Sequence, residues 1–295
     1  MSSRRLILID SHAVMYRSFH AIPGLSAASG RPTNAVFGFI RMVRQLIEKR
    51  RPTHMVSVFD GGIPARRREL LPAYKAQRPP MPENLACQFD LATEYLDRAT
   101  IPWIRMDGEE ADDVIATLVR QAEQGDCDTM VVTSDKDLYQ LVSGRTSIVS
   151  PAGGAEVVMT EDDVKKKTGV APDRIVEWLA LVGDTSDNID GVPGVGVKTA
   201  ARLLSGHGSI EGIYRDMESI AAPAVKDSLA RNREIVLRNV ELCRLKSDLD
   251  CRLDWEKSRI RPDNPAELLP FLRSLDLNSL AREVEKASEN FSFDA

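Results

Sequence analysis

Acidic residues fall in a few short segments of the sequence, and their grouping indicates metal-dependent chemistry. Nine carboxylates are involved: Asp10, Asp60, Glu110, Asp112, Asp113, Asp135, Asp137, Asp184 and Asp187. Gathered in one pocket, they would repel each other strongly unless cations neutralised them. Oxygen-only ligand sets, without His or Cys, suit hard ions such as Mg²⁺, with Mn²⁺ as a substitute. Two such ions, roughly 3.5–4 Å apart, are a common device for cleaving phosphodiester bonds.

Each acidic residue taken alone also has a structural explanation. Aspartate often caps the first turn of a helix or occupies a turn, because its short side chain accepts hydrogen bonds from the backbone. Asp10, Asp60 and Asp135 could each serve in that way. The metal hypothesis therefore depends on the number of carboxylates and on their convergence in space, which spacing along the chain does not establish.

Apolar runs in the first half of the chain predict the elements that would position these carboxylates. Four strands are predicted, at 4–9, 55–59, 101–104 and 130–133, and four helices, at 34–49, 83–98, 110–124 and 135–143. Their alternation predicts an α/β fold with a mainly parallel central sheet. Asp10, Asp60 and Asp135 each stand just after a strand, at the sheet edge where ligands of open α/β sheets bind.

Strand patterns fade after about residue 160, and helical spacing of apolar residues takes over. Helices are predicted at 172–182, 198–204, 226–238 and 264–285. The chain is accordingly divided into an α/β core, residues 1–165, and a helical region, residues 166–295, which pack as one unit. The segment 61–82, rich in Pro and Arg, is not expected to be a core element.

A glycine-rich segment, GVPGVGVKTAARLL at 191–204, leads into one of these helices. Glycines allow a tight turn, and the free N–H groups at a helix start can hold a phosphate. A Walker A loop is disfavoured, because Val197 separates Gly196 from Lys198 and no strand precedes the segment. A helix-hairpin-helix-like motif over 184–205, which grips DNA phosphates without reading bases, is the preferred interpretation. A plain turn between two helices is the alternative.

Basic residues concentrate between positions 66 and 78, around Tyr74. Lys75 and Arg78 are three residues apart, so on a helix they would share a face and could hold a scissile phosphate. Tyr74 could stack on a base. The alternative for such a run is a solvated charged loop.

Composition limits the remaining possibilities. The 295 residues include 43% hydrophobic ones, and the net charge is −5, which is compatible with DNA binding if metal ions neutralise the carboxylates. No apolar run approaches the roughly 18 residues of a membrane helix, and the N-terminus does not fit a signal peptide. The four cysteines lack CxxC spacing, so neither a zinc site nor a disulfide framework is indicated, and a cytoplasmic location is expected.

Seven motifs occur in the order found in one family. They are IDSHAVMYR at 9–17, VFDG at 58–61, YKAQRPPMPE at 74–83, EADDVIATL at 110–118, TSDKDLYQL at 133–141, GDTSDNI at 183–189 and GVPGVGVKTA at 191–200. They extend from residue 9 to residue 200 of the chain, which resembles the 5′-nuclease domain of bacterial DNA polymerase I and its stand-alone flap endonuclease relatives. The resemblance implies a PIN-like core with a helical arch, about 63–82, beside a helix-three-turn-helix.

The same resemblance implies roles for individual residues. Asp10, Asp60, Glu110 and Asp112 would hold a first metal ion, with Asp113 close by. Asp135, Asp137, Asp184 and Asp187 would serve a second. The substrate phosphate or strand would be contacted by Arg17, Arg67, Lys75 and Arg78. Duplex phosphates would be held by Gly194, Val195, Gly196, Val197, Lys198 and Thr199. A K⁺ ion would bind the backbone carbonyls of Leu181, Val182, Asp190, Val192 and Val195.

The implied activity is Mg²⁺-dependent, structure-selective cleavage near 5′ ends, in replication and repair. Its substrates would be DNA with a 5′ flap, a nick or an RNA primer, with a DNA polymerase as partner in cis or in trans. A monomer without membrane association is expected. Two departures from the family pattern, Asp190 and Val197, leave the carboxylates untouched. The alternatives are a junction-binding paralogue, disfavoured by the complete acidic set, a shorter PIN-like ribonuclease, and a haloacid-dehalogenase phosphatase, whose DxDx[TV] motif is missing.

Overall fold

A six-stranded sheet organises the first half of the chain in the computed structural model, which describes residues 4–152 and 155–292. Its strands are β1 Arg5–Asp10, β2 His54–Phe59, β3 Trp103–Arg105, β4 Asp128–Val132, β5 Thr146–Ala152 and β6 Ala155–Met159. Across the sheet the order is β3-β2-β1-β4-β5-β6. All neighbouring strands are parallel except β5 and β6, which are antiparallel. The predicted α/β class with a mainly parallel sheet is thereby confirmed.

Helices cover the sheet and form most of the C-terminal part of the chain. They are α1 Ser11–Ala21, α2 Asn34–Arg50, α3 Ala65–Leu70, α4 Glu83–Ala86, α5 Phe89–Arg98, α6 Ala111–Gln124, α7 Glu161–Thr168, α8 Ile175–Val182, α9 Val197–His207, α10 Ile210–Arg215, α11 Pro223–Arg231, α12 Arg233–Cys243, α13 Pro265–Ser274 and α14 Asn278–Ser292. Two short strands, β7 Gly183–Asp184 and β8 Ile189–Asp190, pair between α8 and α9. Among the residues described, no helix has the length and apolar character needed to cross a bilayer.

The central strand β1 explains why both faces of the sheet are buried. Successive side chains of a strand point to opposite faces, so its apolar run supplies two cores. Leu6 and Leu8 pack in the cluster that includes α6 and α8. Ile7 and Ile9 pack in the cluster that includes α2, α5 and the C-terminal helices α13 and α14. The strand ends therefore remain the open edge at which side chains can form a site.

Several elements differ from the sequence-based predictions. Helix α1 and the β5–β6 hairpin were not predicted, and the predicted helix 83–98 is interrupted between α4 and α5. The interruption has a physical reason: Gln88, at the break, is buried, and its Oε1 accepts hydrogen bonds from the amides of Ala35 and Val36 at 2.8 and 3.1 Å. The side chain thereby satisfies the first turn of α2, whose N-cap residue makes no side-chain cap.

The loops after β2 and before α6 are joined by backbone contacts at Gly61. Its N–H donates to the carbonyl of Glu109 at 3.0 Å, and its own carbonyl accepts from Gly108 N at 2.9 Å. A Cβ atom at this position would lie 1.8 Å from the Met106 carbonyl oxygen, so only glycine fits. This close approach carries Asp60 to the start of α6, where Glu110 and Asp112 lie.

Candidate active site

Three aspartates meet at the carboxyl ends of the parallel strands. Asp10 ends β1, Asp60 follows β2, and Asp135 lies just beyond β4. The Oδ2 atom of Asp10 accepts a hydrogen bond from Thr133 Oγ1 at 2.8 Å, and its Oδ1 atom accepts one from Ala13 N at 3.1 Å. Asp10 is therefore both the N-cap of α1 and a member of the acidic cluster. The helix-cap role and the proposed metal-binding role of Asp10 are therefore compatible.

A second acidic group forms where the helical part of the chain meets the sheet. Oxygen atoms of Asp137, Asp184 and Asp187 all lie within 4.8 Å of one another. The Oδ1 atom of Asp137 is buried and has no hydrogen-bond partner among the residues described. A buried oxygen without a donor is costly, and a hard cation would satisfy it. The donor set and this orphaned oxygen thus fit a divalent ion.

Burial and mutual repulsion dominate the electrostatics of these carboxylates. Burial, and then the negative charge of Asp135 and Asp60, raises the pKa of Asp10 to about 6, although hydrogen bonds to Asp10 oppose the shift. Burial and neighbouring carboxylates also raise the pKa of Asp112 and of Asp137, well above the ordinary value in both cases. The pKa of Asp60 and that of Asp135 rise for the same reasons. Each of these charges would be stabilised by a nearby cation.

Asp184 departs from this trend. Burial would raise the pKa of Asp184, but hydrogen bonds from Ser186 and the ammonium group of Lys136 outweigh it, and the pKa is lowered. Ser186 Oγ lies 2.7 Å and Lys136 Nζ 3.0 Å from the Oδ1 atom of Asp184. Asp184 is thus held as an anion by the chain itself. The sequence analysis did not identify Lys136, Ser186 and Thr133. All three lie within the acidic motifs, and each carries an O–H or N–H group that can donate to a carboxylate.

The basic segment after α3 folds onto the acidic cluster. Lys75 Nζ lies 2.5 Å from Glu110 Oε1 and 3.6 Å from Asp187 Oδ2, so this one ammonium group connects both acidic groups. Burial would lower the pKa of Lys75, but Glu110 and Asp187 outweigh it and raise the pKa. Arg78 Nη2 lies 2.7 Å from Asp187 Oδ1.

The geometry of this basic segment corrects two expectations. Lys75 and Arg78 do not share a helical face: residues 72–77 form turns, and Lys75 has a φ of 56°. Tyr74 is not free to stack on a base in this conformation, because its side chain is buried. Its hydroxyl instead donates to Asp187 Oδ2 at 2.8 Å. The turn allows both cations to reach Asp187 from one short stretch of chain.

Arg67 and Asp113 form a buried ion pair, which changes the interpretation of both residues. Arg67 is 2% exposed, and its Nη1 and Nη2 atoms donate to the two oxygens of Asp113 at 2.7 and 2.9 Å. The same guanidinium contacts Glu110, and Lys246 N donates to Asp113 Oδ1 at 2.7 Å. Arg67 therefore does not face a DNA strand, and Asp113 has its oxygens engaged by the protein. The pair anchors α3 to α6 and fixes Glu110.

The glycine segment presents an open helix start. Gly194 has a φ of 82°, Gly196 is the N-cap of α9 without a side-chain cap, and Val197 and Lys198 are exposed. Val195 is buried and anchors the turn. The first N–H groups of a helix lack intrahelical acceptors, so this surface can receive an anion. Thr199, half-buried, adds a hydroxyl beside them.

The carbonyls expected to bind K⁺ lie around this turn, and several also serve the fold. Val192 N donates to the carbonyl of Leu181 at 2.8 Å, and Val195 N donates to that of Val192 at 2.9 Å. The buried side chain of Asn239 donates to the carbonyl of Asp190 at 2.7 Å. Val182 ends α8 beside them.

Arg17 lies away from this turn. It is half-buried on α1, seven residues beyond Asp10.

The buried ion pair predicts that Arg67 stabilises the folded state. Arg67→Met would leave Glu110 and Asp113 as buried charges without their main partner, at a cost of about 3–5 kcal/mol. Arg68→Met is the matched control, because Arg68 is exposed, and we expect a change within about 0.5 kcal/mol. Urea denaturation measures both. An Arg67→Met variant of wild-type stability that binds DNA poorly would instead place Arg67 at the DNA interface.

The raised carboxyl pKa values predict how pH acts on the metal-free protein. A carboxyl whose pKa is higher in the folded than in the unfolded state destabilises the fold as pH rises. For Asp10 that loss occurs between its ordinary value of 3.8 and about 6. We expect this group to make the protein less stable at pH 7 than at pH 5 in EDTA.

A divalent cation bound at these carboxylates should reverse this loss. At a concentration 100 times its Kd, it is expected to stabilise the fold by about 2.7 kcal/mol. Thermal melts at pH 5 and 7, with and without Mg²⁺, measure both effects. Asp10→Asn should melt with less pH dependence and gain less from Mg²⁺. Equal responses of this variant and the wild type would contradict the assignment of Asp10.

Two family models match the chain in succession. A model described as the 5′-3′ exonuclease N-terminal resolvase-like domain matches residues 5–169, and one described as the 5′-3′ exonuclease C-terminal SAM fold matches residues 170–266. Among solved structures, a T5 5′-exonuclease with bound zinc has a TM-score of 0.68, with 23% identity over 83% of this chain and 90% of that one. The catalytic core of Rad2 in complex with a DNA substrate has a TM-score of 0.62, with 17% identity over 97% of this chain and 91% of that one. These likenesses concern the fold.

Sequence relatives are more similar. A 5′-3′ exonuclease of Aquifex aeolicus is 38% identical over 283 residues, which is 96% of each chain. DNA polymerase I of Pseudomonas aeruginosa is 37% identical over 98% of this chain, and that of Thermus thermophilus is 36% identical over 95%. The chain spans 33% of the length of each of these polymerases. Since the family models cover most of the chain and one relative matches it over nearly its full length, the chain belongs to the 5′-3′ exonuclease family.

Proposed function

We propose that this nuclease is a Mg²⁺-dependent 5′-3′ exonuclease and flap endonuclease that hydrolyses phosphodiester bonds by two-metal catalysis. The observation that carries the proposal is the convergence of strand-end and helix-start carboxylates into one cluster of buried and half-buried side chains. The first metal would be held by Asp10, Asp60, Glu110 and Asp112, and the second by Asp135, Asp137, Asp184 and Asp187. When bound, such ions supply a hydroxide nucleophile and stabilise the leaving oxygen.

The residues of the chain have separate tasks in this proposal. Thr133 holds Asp10 through a 2.8 Å hydrogen bond, so the carboxylate stays oriented. Lys75 and Arg78 now neutralise Glu110 and Asp187. With cations in the acidic cluster, these two side chains would be released to bind the scissile phosphate and to stabilise its developing charge. Arg17 would contact the strand near them, and Tyr74 would reach it only if the 72–78 turn rearranged.

Substrate selection is proposed to divide between two parts of the chain. Residues 1–165 form the nuclease core, with the arch at about 63–82, and residues 166–295 form the DNA-binding region with the motif at 184–205. Support comes from the open start of α9, where Gly194, Gly196, Lys198 and Thr199 can hold duplex phosphates together with the main chain of Val195 and Val197. The substrates would be 5′ flaps, nicks and RNA primers in replication and repair, with a polymerase in cis or in trans.

A K⁺ ion is proposed beside this motif, at the carbonyls of Leu181, Val182, Asp190, Val192 and Val195. A carbonyl oxygen has two lone pairs, so an oxygen that accepts one protein hydrogen bond still has a second available. The cation would hold the turn in place, and its positive charge would attract bound phosphates.

The proposed nuclease acts as a monomer.

Loss of a single cluster carboxylate should abolish cleavage without abolishing DNA binding. Asp112→Asn and Asp135→Asn are each expected to lower kcat on a 5′-flap substrate by about 10³-fold or more, since several kcal/mol of transition-state stabilisation are lost. Asp128→Asn is the control, because Asp128 begins β4 at the opposite edge of the sheet. Product mapping with Mg²⁺ and with EDTA measures the effect. Cleavage in EDTA at the full rate would refute the proposal.

The start of α9 should contribute one phosphate contact through Lys198. Lys198→Ala is expected to weaken duplex binding equally for all sequences and to reduce the slope of log K against log [salt] by about 1. Lys257→Ala is the control, because Lys257 is exposed in the segment that packs on the amino ends of the strands. Fluorescence anisotropy measures the DNA affinity of both variants at KCl concentrations from about 50 to about 200 mM. An unchanged slope for Lys198→Ala would remove this helix from the interface.

A further inference from the structure

The amide of Asp60 lies where the sheet no longer provides a partner. The β1–β2 ladder ends with the pairing of Asp10 and Val58, and the β2–β3 ladder ends with that of Phe59 and Arg105. Asp60 is the next residue, so its N–H group needs an acceptor from elsewhere. His12, in the first turn of α1, supplies it: its Nδ1 atom accepts from Asp60 N at 3.1 Å.

We infer that His12 is a positioning residue that fixes Asp60 for metal binding by joining its backbone to the helix that Asp10 caps. His12 lies two residues beyond Asp10, so one imidazole connects two of the proposed ligands of the first metal. The inference rests on the proposed function of the acidic cluster. It concerns a residue of the motif at 9–17 to which the sequence analysis gave no role, and it assigns the ring no contact with metal or substrate.

The geometry defines the state of the ring. A backbone N–H can only donate, so Nδ1 carries no proton and the neutral ring has its proton on Nε2. The hydrogen bond to Asp60 therefore forms only while Nδ1 is unprotonated.

Packing on both sides holds the ring in this orientation. The centroid of His12 lies 4.5 Å from that of Phe89 and 6.2 Å from that of Phe59, the residue immediately before Asp60. The start of α1 is also bound to β2, because Ser11 Oγ and Ser57 Oγ are buried 2.6 Å apart. Partners that orient the ligands of a metal typically change its affinity 10- to 100-fold when they are removed.

The test compares two substitutions that differ in one acceptor. In His12→Asn, the side-chain Oδ1 can occupy the position of Nδ1 and accept from Asp60 N. In His12→Leu, the volume is largely kept and the acceptor is lost. We expect His12→Leu to weaken Mn²⁺ binding, measured by calorimetry without DNA, by about 10-fold or more. We expect His12→Asn to bind within about 3-fold of the wild type, because it restores the hydrogen bond.

His54→Leu separates positioning from general stability. His54 is buried at the opposite end of β2, and its ring packs on Trp255 at 5.1 Å. Its loss should lower the melting temperature and leave Mn²⁺ binding unchanged. In flap cleavage, His12→Leu should raise the Mg²⁺ concentration at half-maximal rate in parallel with its Mn²⁺ affinity, with KM for DNA unchanged.

Three results overturn the inference. These are wild-type Mn²⁺ affinity in a folded His12→Leu variant, a His12→Asn variant as impaired as His12→Leu, and a loss of affinity in His54→Leu equal to that in His12→Leu. Failure of the proposed function is distinguishable, because a wild-type protein that cleaves fully in EDTA would show it without any His12 variant.

Discussion

Repulsion among buried carboxylates is the constraint to which much of this structure responds. The strands deliver Asp10, Asp60 and Asp135 to one edge, and α6 and the β7–β8 turn bring further acids to the same place. Burial and proximity raise the pKa of several of them, so the folded chain would be more stable with fewer negative charges there. A fold that keeps such a cluster accepts a cost in stability that bound cations offset, which is the expected condition of a metal-dependent site.

The cations of the chain answer this constraint in two different ways. Arg67 is enclosed between Glu110 and Asp113, and its side chain is 2% exposed, so its charge stabilises the fold. Lys75 and Arg78 reach the cluster from a turn, and the side chain of Arg78 remains 47% exposed. The exposed Arg78 can exchange one anionic partner for another more readily than Lys75, whose side chain is 8% exposed. The basic segment thus combines a fixed arginine with two side chains that a phosphate could engage.

Neutral groups set the directions in which the carboxylates point. Thr133 and the first turn of α1 hold Asp10, His12 holds the backbone of Asp60, and Ser186 holds Asp184. Gly61 has no Cβ atom, so its backbone approaches the Met106 carbonyl closely and the loop after β2 packs against the start of α6. The contacts of Thr133 with Asp10 and of His12 with Asp60, and the approach of Gly61 to Met106, join segments that are distant in sequence. They show how an edge formed by parallel strands becomes an ordered cluster rather than a loose collection of acids.

The sequence by itself determined the fold class and the candidates for the acidic cluster, of which Asp113 is paired with Arg67 in the structure. The apolar run of β1 dictates a strand buried on both faces, and an aspartate directly after such a strand must emerge at the carboxyl edge of the sheet. Only the tertiary structure decided which charges pair. Arg67 and Asp113 are 46 positions apart, and His12 and Asp60 are 48 apart. Periodicity reports only local geometry, so the burial of Arg67, the turn at Lys75 and the hydrogen bond to His12 follow from the packing of distant segments.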